Sequence, residues 1–126
     1  MTLKNWMSVK AVICVLFGLG FVFIPETVAS LYGMSTNDSS ILMARFFGQA
    51  FFLLGILLWL ARNTSELATQ RAFSISVFVG DIVGFVIAIM AQLSGAMNAL
   101  GWLTVVLYLV LALGFGYFLI ATPSTN

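Results

Sequence analysis

The chain has 126 residues, 62% of them hydrophobic and 7% charged, with a mean hydropathy of +1.13. A soluble domain of this size buries only roughly 60–70% of its unfolded surface, so a water-soluble globule is excluded and lipid becomes the natural solvent. The net charge of +1 is scattered, which leaves no basic face for nucleic acid, while the single cysteine and the absence of histidine remove redox pairs, the usual metal and haem ligands and the commonest general base.

The first apolar run extends from about Trp6 to Ile24 and is long enough to approach the ~20 residues that cross a bilayer. Lys10 is expected to snorkel to the headgroups, with Trp6 at the interface. A cleaved signal peptide ending at Val28-Ala29-Ser30 is the rival reading. Pro25, Glu26 and three further apolar runs argue against it. Residues 25–32 then predict a short interfacial helix: Pro25 suits a first helical position, Glu26 suits the positive end of the dipole, and Gly33 stops the helix. The polar stretch Ser35–Ser40 is a loop in which Asp38 or Ser39 caps the next helix.

The second span is expected over about 41–61. It carries Arg45 and Gln49 a turn apart, and Ala44 and Gly48 form a small-xxx-small pair that lets a neighbouring helix approach. Residues 62–71 form a polar loop. The third span, about 72–92, holds the carboxylate Asp81 between glycines, and Ser76, Gly80, Gly84 and Ala88 repeat every fourth residue along it as a packing line. A tight turn at 94–98 leads to the fourth span, about 99–121, which Pro123 and a polar tail terminate. The fold expected is all-α: an integral membrane four-helix bundle, one domain over 1–126, with a short interfacial helix between the first two spans.

Lys4, Lys10, Arg62 and Arg71 fall on one side of this arrangement. The positive-inside rule therefore places both termini and the 62–71 loop in the cytoplasm, across a membrane such as the bacterial inner membrane.

An ionised side chain in hydrocarbon costs roughly 2.5–3.5 kcal/mol on insertion scales, so Asp81 requires a partner. Counted from the expected span ends, Asp81 lies about 14 Å deep from one side and Arg45 about 6 Å deep from the other. A buried polar track Arg45–Gln49–Asp81 is therefore expected, with Glu26 as the competing partner for Arg45. The track reads either as an interhelical clamp or as a functional site: a proton or cation site, or an anchor for the head of a lipid or quinone. An acid and a base that neutralise each other favour the clamp.

The segments FGLGFVFIPE (17–26), ARFFGQAFFLLGILLWLAR (44–62), GDIVGF (80–85), NALGW (98–102) and LALGFGYFL (111–119) resemble small four-helix bacterial membrane proteins of the DoxX-like type. Pro25, Arg45 and Asp81 are the distinctive marks. The resemblance implies a four-helix bundle and, in a few relatives, a subunit linked to membrane redox enzymes. The expectation is thus a non-enzymatic protein without cofactor or metal. It would partner the lipid bilayer and either other transmembrane subunits or itself, or act as a small transporter or channel, or a lipid- or quinone-binding protein, through Asp81.

Overall fold

The computed structural model describes residues 2–121. It contains five helices: α1 (Leu3–Phe23), α2 (Pro25–Leu31), α3 (Asp38–Ala61), α4 (Leu67–Leu93) and α5 (Gly101–Ala121). Four of them, α1, α3, α4 and α5, are long and apolar enough to cross a membrane. The chain is an all-α membrane-type bundle with a short fifth helix between its first two spans.

Local chemistry sets the helix limits. The Thr2 hydroxyl accepts from the Asn5 N–H and opens α1, and Pro25 occupies the start of α2. Asn37, not Asp38 or Ser39, caps α3: its side chain accepts from the Ser40 N–H at 2.9 Å, and the Ser40 hydroxyl accepts from the Asn37 N–H at 2.8 Å. This reciprocal pair extends α3 back to Asp38. Helix α4 begins at Leu67, well before the expected start, so Arg71 lies within it and only a short link joins α3 to α4. Gly33 and Gly95 take φ of 72° and 79°, the left-handed conformation that ends α2 and turns the chain after α4. Pro123, expected to stop the last helix, lies outside the described residues.

The bundle is built from two antiparallel pairs. Helices α1 and α3 meet along a seam closed by glycines. A Cβ on Gly18 would stand 2.7 Å from the Gly48 carbonyl oxygen, and one on Gly55 would stand 2.9 Å from the Ala11 carbonyl. Helices α4 and α5 pack as closely, Gly84 against the Tyr108 ring and Gly116 against Phe78. With no hydrophobic force between helices in lipid, such close backbone approach is a main source of association.

The two pairs are tied at both ends. At the end where α1 begins, Met7, Ala11, Leu58, Val77 and Phe115 form the core. Trp6 is wedged over Gly114, edge-on to Phe115, so its ring packs between α1 and α5. At the other end, Asn98 donates to the Leu31 carbonyl through its side chain (3.0 Å) and to the Tyr32 carbonyl through its backbone (2.9 Å). The Thr104 hydroxyl donates to the Tyr32 hydroxyl at 2.8 Å. Between these ties α3 and α4 do not close on each other, and a cleft remains.

Candidate functional site

The polar centre of the bundle is an ion pair between the Lys10 ammonium and the Asp81 Oδ1. Among the described residues it is the one salt bridge, and both side chains are enclosed, with Lys10 3% and Asp81 1% exposed. Lys10 lies seven residues into α1, about 10 Å along the helix. It shares the inner face of α1 with Met7, Ala11, Cys14 and Gly18, all buried. That face is pressed against the rest of the bundle, so Lys10 cannot snorkel outward as the sequence suggests.

Arg45 and Gln49 do not join this pair. Both are exposed on α3, and the expected track Arg45–Gln49–Asp81 does not form. The cause is rotational: the inner face of α3 is defined by Gly48, Gly55 and Leu58, and Gln49 lies about 100° round the helix from Gly48. Arg45, near the start of α3, has no need of a buried carboxylate. Glu26 is exposed on α2 and makes no ion pair among the described residues.

The line Ser76, Gly80, Gly84, Ala88 divides in two. Gly84 and Ala88 pack, the former beneath Tyr108, while Ser76 and Gly80 are exposed. The Ser76 hydroxyl turns back to its own helix, donating to the Ala72 carbonyl at 2.9 Å. Among the described residues, nothing lies within 4 Å of the place a Cβ on Gly80 would occupy. On α3, Gly48 is in the seam with α1 and Ala44 is half-buried.

Two cavities converge on the ion pair. The larger, about 390 Å³, is the α3–α4 cleft; Ser76, Gly80 and Asp81 form one wall and Phe51, Leu54 and Leu57 the other. The smaller, about 130 Å³, lies among α1, α3 and α5 and runs from Lys10 towards Tyr32, Met34 and Met97. Lys10, Phe51 and Tyr108 line both. The Lys10 nitrogen stands 5.6 Å from the centre of the Tyr108 ring, within range of a cation–π attraction.

Hydrogen bonding at the pair is incomplete. Asp81 Oδ1 takes the lysine, but Asp81 Oδ2 is buried without a partner among the described residues. Lys10 carries three N–H donors and its ammonium makes one hydrogen bond among the described residues. A carboxylate oxygen and two ammonium protons are therefore left facing an apolar interior, where an unsatisfied polar group is costly.

Sequence reasoning misses Lys10 because its short distance from the N-terminus suggests the membrane surface. Periodicity holds a usable signal: Lys10 lies one turn from both Met7 and Cys14, on the face that also carries the small residues Ala11 and Gly18.

No family model matches the chain, and no curated protein or solved structure is similar enough to count as a match.

Proposed function

We propose that this is a non-enzymatic integral membrane protein that acts by binding within the bilayer, with the Lys10–Asp81 pair as its recognition element. The observation that carries this reading is the buried ion pair at the junction of two cavities, with one carboxylate oxygen unpartnered. An ion pair serving only as a clamp gains from full hydrogen bonding and tight packing around it. Here packing is left open on the α4 side, at Ser76 and Gly80. Ionisable residues inside a membrane bundle commonly mark the path or site of a ligand. A small transporter built on the same pair is the dynamic form of this reading, the two cavities being its two approaches.

A second reading has its own observation. The exposed Ser76–Gly80 face offers a close approach to a further helix, from another subunit or a second copy. An accessory subunit of a membrane complex is also what the DoxX-like resemblance implies. In either case Lys4, Arg62 and Arg71 favour cytoplasmic termini, with the bacterial inner membrane as the setting. Lys10, being buried, no longer contributes to that bias.

Gentle extraction followed by native mass spectrometry tests the proposal. Binding predicts a small molecule retained by the wild-type chain and lost when Lys10 and Asp81 are replaced together by Met and Leu. Retention of a protein subunit alone supports the second reading, and a bare monomer in every preparation contradicts both.

A further inference from the structure

The unfilled hydrogen bonds at the ion pair define what the α3–α4 cleft can hold. Asp81 Oδ2 can only accept while the carboxyl is ionised, and the remaining Lys10 protons can only donate. A group that completes both must donate and accept at once. A hydroxyl is the smallest such group, with one O–H and two lone pairs. An anionic head would face Asp81 and a cationic head would face Lys10. Either would add a net charge to a site that is now neutral and enclosed, which low-dielectric surroundings penalise. The remaining wall of the cleft is apolar: Phe51, Leu54, Leu57 and Phe73. At about 390 Å³ the cleft falls in the ~300–1,000 Å³ range of small-molecule sites. A single water, which takes up only about 30 Å³ in the liquid, does not fill it.

We propose that the α3–α4 cleft binds a neutral, hydroxyl-bearing amphiphile with a hydrocarbon chain. Its hydroxyl donates to Asp81 Oδ2 and accepts from Lys10, and its chain lies between α3 and α4 over Gly80. The inference rests on the binding reading above and adds the chemistry of the head. Gly80 is what leaves room for the chain: it lines the cleft, and a Cβ there would have no atom of the described residues within 4 Å.

The test uses the full chain in phosphatidylcholine nanodiscs, whose lipid heads carry no hydrogen-bond donor. Four probes share one chain and differ in the head: oleyl alcohol, oleyl methyl ether, oleyl sulfate and oleyl trimethylammonium. Retention is read by native mass spectrometry and by the shift in thermal midpoint. The expected result is saturable retention of the alcohol with a rise in midpoint, and neither for the other three. Gly80→Leu leaves the ion pair in place and replaces a poor helix former with a good one, so it should fold while losing retention of the alcohol. Lys10→Met combined with Asp81→Leu should lose it too.

Equal retention of the ether or of either charged probe overturns the proposal, as does undiminished retention in Gly80→Leu. A wild-type dimer that Gly80→Leu splits into monomers also overturns it, because a second copy then covers the cleft. Failure of all four probes with retention of another molecule from native membranes removes this inference and leaves the binding reading standing.

Discussion

Removing one member of the Lys10–Asp81 pair strands the other. In Lys10→Met the Asp81 carboxylate keeps its enclosed position, 1% exposed, and loses its one partner. Breaking a buried pair from one side typically costs about 3–5 kcal/mol, whereas replacing both members with apolar residues of similar size is neutral or stabilising by about 1–4 kcal/mol. Lys10→Met and Asp81→Leu should therefore each lower stability by about 3 kcal/mol or more, and the double variant should recover most of that. The coupling energy, taken from a double-mutant cycle by titrating the folded protein with sodium dodecyl sulfate, should amount to several kcal/mol. Additive losses, with the double variant as unstable as the sum of the singles, would show that the two charges do not meet. A large loss from Arg45→Leu with none from Lys10→Met would restore the arginine as the partner of Asp81.

Four further outcomes follow from the same structure. Arg45→Leu, at an exposed position without an ion pair among the described residues, should change stability by no more than about 0.5 kcal/mol in the same titration. Gly48→Ala and Gly80→Ala should separate: at Gly48 a Cβ would stand 2.7 Å from the Gly18 carbonyl, giving a loss of about 1–3 kcal/mol, while Gly80→Ala gains up to about 1 kcal/mol from helix propensity. Asn98→Ala deletes the side-chain bond to the Leu31 carbonyl, and should lower stability by about 1 kcal/mol and speed hydrogen exchange in α2. In a Cys14→Ser background, cysteines placed at Ser35 and Ser65 should react with an impermeant thiol reagent from opposite faces of the membrane, Ser65 from the cytoplasmic one; labelling of both from one face would refute the four-crossing path.

The amino-acid sequence by itself determined that the chain is a bundle of four apolar spans with a short helix after the first, because spanning length and hydropathy are properties of local stretches. Pro25 and Gly33 likewise act within a few positions of themselves, whereas the cap of α3 falls on Asn37 and not on Asp38 or Ser39. It also marked Asp81 as the residue in need of a partner, since a carboxylate in an apolar run is costly whichever way it faces. Only the tertiary structure decided which cation answers it. Depth counted along separate helices favoured Arg45, but partner choice depends on how each helix is rotated, and a rotation of about 100° separates neighbouring residues. The glycines of the α1–α3 seam turn Gln49 outward and carry Lys10 inward. The open cleft had the same origin: Ser76 and Gly80 share a line with Gly84 and Ala88, yet helix α5 covers only part of it, and α3 stands too far away to cover the rest.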